Sequence, residues 1–509
     1  MKTFRGVCRA ETIHGRRLFP LRRRPIHPLE SAFVLGPARQ VQGVPSSPAL
    51  RARSVLRATW PPTRLTRERL GRAEKRRWSI GRLLFAALSA LAVIAPPSGT
   101  RANPTDMFGF GTRGPALGNA MVASDDALSS PVYNAAGGTM AERLELGIGY
   151  MYAGIDLDIN EQNAEVMDAH GTSAGFVFPF DLERDLQFAF ALSMFMPDQF
   201  SHRIYGIAAT EPQLVMWDNR PHRLVFNPAL SVRFAEIIAF GVGLTFLGGL
   251  EGQVDFELGT LPGRTKAEAA TETALTIGTD SVPIILGMLL TPTEYLRLGL
   301  RYSEEVAALV ALDILADIDA TGILNGTIGI NIVGVNYFTP RELALGGSFD
   351  LYNWTFAAEL GWQQWSRLSQ VGLEIKLALD LDIDTPVDAF DLPAPGFRDV
   401  FIPRAGLEYR LPLPDERQLA FRSGYAFVPS PVPDQSGITS YGDNDRHVIT
   451  AGGGFRFEDF WGIPLTPELV LQLQLLQRRE MGKQGIQPGG GFSTGGVVYV
   501  AAAGVRAEI

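Results

Sequence analysis

The chain has 509 residues and a formal charge of −8, but that charge is split between two unlike parts. Residues 1–102 hold 21 Lys+Arg against 4 Asp+Glu, leaving 25 against 50 for 103–509, so one end carries +17 and the rest −25, the mark of pieces with different fates. The single cysteine, Cys8, lies in the basic part, so residues 103–509 offer neither a disulfide nor a thiolate metal site; they also lack an apolar run of about 18 residues, which excludes a helical membrane protein.

Residues 1–75 are rich in Arg and Pro, without a sustained apolar period. They read as a disordered basic leader or as a start assigned too far upstream. A nucleic-acid-binding arm is disfavoured, because an exported protein leaves nucleic acid behind. Residues 76–102 read as a cleaved signal peptide: Arg76, Arg77 and Arg82 with Lys75 before them, an apolar stretch from Leu83 to Ala95, the breakers Pro96 and Pro97, then the small-residue site Thr100-Arg101-Ala102. As a helix the apolar stretch reaches roughly 20 Å, short of the ~30 Å hydrocarbon core. Residues 103–143 lack strand alternation and are rich in Gly and Ala. Such a segment is either a free tail or something packed inside the β-rich remainder of the chain, and Met107, Phe108, Phe110, Met121 and Tyr133 would be wasted in a solvated tail.

From residue 144 the period is two. Sixteen strands are expected, near 144–157, 171–180, 186–197, 222–234, 237–248, 281–291, 294–307, 327–337, 341–351, 353–365, 369–381, 400–411, 417–427, 446–457, 466–478 and 495–508. Whole faces are apolar: Phe188, Phe190, Leu192, Met194 and Met196; Trp354, Phe356, Ala358, Leu360 and Trp362; Leu469, Leu471, Leu473 and Leu475. Most of the segments fit the 9–11 tilted residues that cross a bilayer. Turn signals stand at Asp181-Leu182-Glu183-Arg184 and Thr339-Pro340, and the longer polar stretches 198–221, 252–280, 382–399 and 428–445 are expected outside the cell. Trp354, Trp362, Trp365, Tyr425 and Phe427 suit interfacial girdles. These residues leave an all-β fold that is either a soluble β protein or a transmembrane antiparallel barrel over 144–509, with 103–143 as a separate small N-terminal segment.

Several motifs carry a family resemblance. Leu117-Gly118-Asn119-Ala120, Ala123-Ser124-Asp125-Asp126-Ala127 and Asn134-Ala135-Ala136 resemble, in order, the N-terminal hatch of the FadL/TodX family of outer-membrane transporters, with Ala135 where the family has proline. Trp362-Gln363-Gln364-Trp365-Ser366, Arg404-Ala405-Gly406-Leu407-Glu408-Tyr409, Phe421-Arg422-Ser423-Gly424-Tyr425, Ser430-Pro431-Val432-Pro433-Asp434 and Asp443-Asn444-Asp445-Arg446-His447 come after them in family order. The resemblance covers roughly 103–509. It implies a monomeric barrel of about 14 strands, plugged by the hatch, that passes hydrophobic compounds through a side opening in its wall. Two of the sixteen candidate strands are therefore expected to be loop elements. The family usually ends in an aromatic residue; here Ile509 stands last.

Three other motifs lack their context. Gly109-Phe110-Gly111-Thr112-Arg113-Gly114 matches a dinucleotide fingerprint but comes after a cleavage site, not a strand. Gly171-Thr172-Ser173-Ala174-Gly175 matches a nucleophile elbow but runs on as strand. Asp380, Asp382 and Asp384 have calcium-loop spacing without the glycine and glutamate that complete it.

The expected function is passive transport of long-chain fatty acids or similar hydrophobic compounds across the outer membrane, by a protein that is not an enzyme and needs no cofactor, metal or nucleic acid. Its surroundings are expected to be outer-membrane lipid and lipopolysaccharide. A structural barrel and a general porin are the alternatives. Leu117, Gly118, Asp125, Asp126, Asn134, Ala135 and Ala136 are the candidate gating residues of the hatch. Arg297, Arg301 and Arg422 fall on the lumen phase and are candidates for a ligand headgroup, against the plainer reading that each pairs with a carboxylate in the wall.

Overall fold

The computed structural model describes residues 105–509 apart from 184–185, 200–210, 218–219, 222, 248–249, 254–273, 278–281, 321–323, 370, 382–393, 436–438, 461 and 483–490. The expected leader and signal peptide lie outside the described residues, as do Asp382 and Asp384 and much of the expected loops 252–280 and 382–399.

Fourteen antiparallel strands close on themselves. They are β1 (Glu145–Ile159), β2 (Ala169–Glu183), β3 (Leu186–Pro197), β4 (Val225–Phe234), β5 (Ile238–Leu244), β6 (Ile284–Thr293) and β7 (Leu296–Ser303), then β8 (Arg341–Leu351), β9 (Trp354–Gln364), β10 (Val400–Pro412), β11 (Gln418–Val428), β12 (Arg446–Phe460), β13 (Ile463–Met481) and β14 (Phe492–Glu508). Each pairs with the next in chain order, and β1 pairs with β14 from Glu145↔Glu508 to Ile159↔Thr494. Closure removes the unpaired edge that hydrocarbon would not tolerate.

The alternation is inverted relative to a soluble barrel. Ile148, Phe178, Leu345, Leu360, Leu471 and Tyr499 are exposed on the outer face. Their strand neighbours on the other phase, among them Glu408, Thr450, Gln472, Gln474 and Arg297, are buried and polar. Only a solvent less polar than the protein's own interior makes that pattern favourable. Tight turns join one end of the barrel; Ala235 (φ 48°) and Glu236 (φ 58°) turn β4 into β5, both in the left-handed region as hairpin turns of matching twist require. The longer connections lie at the other end, which is the extracellular end in barrels of this kind.

The two surplus strand candidates, 327–337 and 369–381, belong to a second sheet. Its order is Gly372–Leu381, Leu324–Thr339, Val306–Ala320, Ala274–Ile277, Leu250–Gln253. That order repeats β9, β8, β7, β6, β5, so these segments carry the barrel strands onward past the rim. Thr339-Pro340 is accordingly not a turn. It is the break at which the chain leaves the second sheet and enters β8, where proline has no N–H to continue a ladder.

Residues 105–143 fill the bore as a hatch. Its elements are α1 (Thr105–Phe108), α2 (Arg113–Ala116), α3 (Ser130–Tyr133) and a 3₁₀ turn, Ala135–Met140. Above the hatch the interior is apolar: Phe108, Leu214, Trp217, Val432 and Tyr441 are buried together.

Leu471 lies near the middle of β13 on the outer face. Leu471→Arg is expected to cost about 2–4 kcal/mol of folding stability in a bilayer. Reversible urea titration of the protein refolded into vesicles measures this.

Candidate functional site: the hatch and the cavity above it

The hatch touches the wall where the wall has no side chains. A Cβ on Gly241 of β5 would stand 2.2 Å from the Ala135 carbonyl carbon, one on Gly287 of β6 would stand 2.1 Å from Asn134 Oδ1, and one on Gly424 of β11 would stand 2.1 Å from the Gly118 nitrogen. Gly118 has a φ of 63°, a conformation that favours glycine itself. Leu117 is buried beside Gly406, and Ala135 and Ala136 pack on Ala229, Ile285, Ala239 and Leu289.

The hatch bends at Asn134 although the proline is missing. Asn134 is extended (φ −159°, ψ 107°) between α3 and the 3₁₀ turn, and its Oδ1 accepts the N–H of Ala136 at 3.1 Å. Its Nδ2 donates to the carbonyls of Val122 (2.6 Å) and of Met288 in β6 (3.1 Å). A capping side chain thus holds the kink that a fixed φ would otherwise impose.

Charges clamp the hatch to the wall. Asp125 pairs with Arg113 of the hatch (2.8 Å) and Arg410 of β10 (3.2 Å). Glu408, on β10 and fully buried, accepts two bonds from Arg113 at 3.1 Å and also pairs with Arg410 (2.6 Å) and Arg422 (2.5 Å). Asp126 pairs with Arg506 of β14 (2.7 Å) and accepts the Ser129 hydroxyl (2.7 Å). Glu359 of β9 accepts the backbone N–H groups of Met121 and Val122, both at 2.9 Å. Burial alone pushes the Asp125 and Asp126 carboxyls up, but their arginines outweigh it and hold both below the ordinary carboxylate range.

Above this charged layer a cavity of about 70 Å³ is lined by α1, α3, β7 to β13 and the extracellular connections. Its apolar lining includes Met107, Val132, Met216, Trp365, Ile402 and Val448. This is under half the roughly 150 Å³ that accepts a benzene, so a hydrophobic solute enters only if the lining moves.

A model of the family described as outer membrane protein transport protein (OMPP1/FadL/TodX) matches residues 88–465. The chain belongs to this family. An alkane uptake protein A from Marinobacter nauticus is 24% identical over 159 residues, 30% of this chain and 32% of that relative, so the match spans about a third of its length. A FadL homologue from Pseudomonas aeruginosa superposes with a TM-score of 0.48 at 15% identity over 81% of this chain and 98% of that one. The toluene transporter TodX from Pseudomonas putida gives 0.47 at 15% over 79% and 99%. The OMPP1/FadL/TodX family is one of transporters, not of enzymes. Ser173 sits inside β2 between Gly149 and Phe195, and the nearest histidine in sequence, His170, falls on the opposite face of that strand.

Of the three arginines proposed for a headgroup, Arg297 is held by Asp350 (2.6 Å), Ser348 (3.0 Å) and the Ala123 carbonyl (3.3 Å), and Arg422 by Glu408 and Glu468 (2.7 Å). Arg301 pairs with Glu342 (3.1 Å) and also lines the cavity. Sequence reasoning does not single out Arg113, Glu359, Glu408 and Arg506 as clamps. The signal available is the even-numbered run Arg404, Gly406, Glu408, Arg410, which puts charge and glycine together on the lumen phase.

Glu408→Gln leaves three arginines short of a counter-charge and is expected to cost about 3 kcal/mol or more. It should also loosen the hatch, read as increased ion conductance in a planar bilayer. A second expectation concerns pH. Because the Asp125 and Asp126 carboxyls are held down in the folded state, their contribution to docking is fully present above about pH 4 and lost as pH falls below it. Proteolysis of the hatch should therefore be the same at pH 7 and pH 5 and rise only in stronger acid.

Proposed function

We propose that this protein carries long-chain fatty acids or similar hydrophobic compounds passively across the outer membrane, with the hatch as its gate. The observation that carries the reading is the filled bore: a charged, glycine-fitted hatch closes the lumen beneath a chamber lined by both apolar and charged side chains. A general porin needs an open, wetted lumen, and a structural barrel has no use for a chamber of this kind. Lipopolysaccharide resists apolar solutes at the outer leaflet, so such a carrier offers an apolar site, a closed wall toward water and a release step. The chain would act as a monomer in outer-membrane lipid, exported by cleavage of the signal peptide at 76–102. The name of the alkane relative makes neutral hydrocarbons the second substrate class to test.

Labelled oleate uptake decides the matter in cells that lack their own fatty-acid transporter and express residues 103–509 behind a working signal. Uptake is expected, and deleting 103–143 should abolish its control by the hatch. Correctly assembled protein that moves neither oleate nor hexadecane would overturn the reading.

A further inference from the structure

A solute can enter the cavity above the hatch only if part of the lining moves, and the parts are held with unequal firmness. Ile402 and Val448 belong to the closed wall: Ile402 is paired with Gly361 of β9, and Val448 with Ala426 of β11 and Gln474 of β13. The connection between β11 and β12 is tied down at several points. The Ser430 N–H donates to Asp445 Oδ1 (2.7 Å), Arg479 of β13 donates to the Val432 carbonyl (2.8 Å), and Asn444 Nδ2 donates to the carbonyls of Gln477 (2.9 Å) and Thr494 (2.8 Å).

The hatch aside, what remains is the connection between β3 and β4, whose residues 211–217 form a strap against the β11–β12 connection. Gln213 pairs with Tyr441 in an isolated parallel bridge. The Gln213 N–H donates to the Ser440 carbonyl (3.1 Å), and the Gln213 carbonyl accepts from Gly442 (2.8 Å). Two ring contacts follow: the Arg446 guanidinium lies 5.0 Å from the Trp217 ring, and that of Arg220, farther along the same connection, 5.3 Å from the Trp365 ring. What the strap puts into the fold is apolar. Leu214, Met216 and Trp217 are buried in one cluster with Phe108, Val432 and Tyr441, and Met216 lines the cavity itself. Backbone hydrogen bonds add modest net stability, so burial is the strap's main hold. Burial is non-directional and follows the apolar area removed from water. An apolar solute lying on the same lining therefore replaces what the strap gives up. Lifting the strap with nothing in its place exposes the lining to water and is opposed.

We propose that residues 211–217 are the outer door of the chamber: Met216 and Trp217 are its resting apolar occupants, and an arriving apolar solute takes their place as the strap lifts from Tyr441. This rests on the transport reading and adds a source of selectivity to it. The exchange swaps one apolar surface for another, so the door yields to apolar solutes and stays shut to water and salt. It does not depend on the solute's headgroup.

Residues 103–509 contain no cysteine, so one engineered pair can lock the strap. In cells expressing the Gln213→Cys, Tyr441→Cys double variant, uptake of labelled oleate and of labelled hexadecane is expected to be lost while the disulfide stands and restored by reductant. Full uptake through a barrel whose disulfide has formed would overturn the proposal and leave hydrophobic transport standing. Uptake of neither compound by the unaltered protein would remove both. A second measurement needs no variant and decides the matter should the reduced pair itself be inactive: hydrogen exchange of the purified full barrel with and without oleate. Exchange at Leu214–Trp217 should speed up when oleate is bound, since the strap is displaced. Unchanged or slower exchange there would mean that the solute settles beneath a closed strap, and the door would be refuted.

Discussion

The constraint behind this structure is that hydrocarbon cannot hydrogen-bond a peptide group. Every N–H and C=O of the membrane-crossing segments must find its partner in a neighbouring strand, which forces the sheet to close. Closure at fourteen strands leaves a bore too wide for wall side chains to fill, unlike an eight-stranded barrel. The outer phase must be apolar to meet lipid, so the inner phase inherits the polar residues. A bore that is wide and lined with charge either stays wet or is filled by something polar, and here the hatch fills it.

The means of attachment are set by the same constraint. A plug held by apolar burial would gain from every buried methylene and would be slow to leave. Beside its buried apolar contacts, this hatch is held by ion pairs, by backbone N–H groups given to Glu359 and by backbone apposed to Gly241, Gly287 and Gly424. Salt bridges under such burial add little net stability over a well-packed apolar contact, because desolvation opposes the attraction. They do fix orientation sharply. The hatch is therefore closely seated in one orientation, a combination suited to the gate proposed above.

The sequence exposed the barrel because period two over apolar faces is a local signal. It overcounted strands for a physical reason. Segments 327–337 and 369–381 alternate as the barrel strands do, since they continue those strands into a second sheet, and alternation says nothing about which side of the rim a strand lies on. The hatch motifs were legible in the same way, since Asp125, Asp126 and Asn134 do anchor it. The bend at Asn134 was less so: a missing proline shows in the sequence, whereas the Oδ1 cap that replaces it shows only in the fold. Arg220 was hidden for a stronger reason. It lies in an irregular connection with no period, and only the fold brings its guanidinium over Trp365.

Two motifs that carried the family resemblance, Trp362–Ser366 and Asp443–His447, supply Trp365, Asp443 and Arg446 to one cavity. They are far apart in the chain and meet because β9 and β12 end at the same level of the barrel. Their chemistry bears on the energetic problem of the passive carriage proposed above. Burying a tail gains about 0.8 kcal/mol per methylene, so a site that only buries the tail holds its ligand too well to pass it on. Release requires a state in which some of that gain is withdrawn, and the withdrawal must be coupled to the ligand itself, since no energy is supplied.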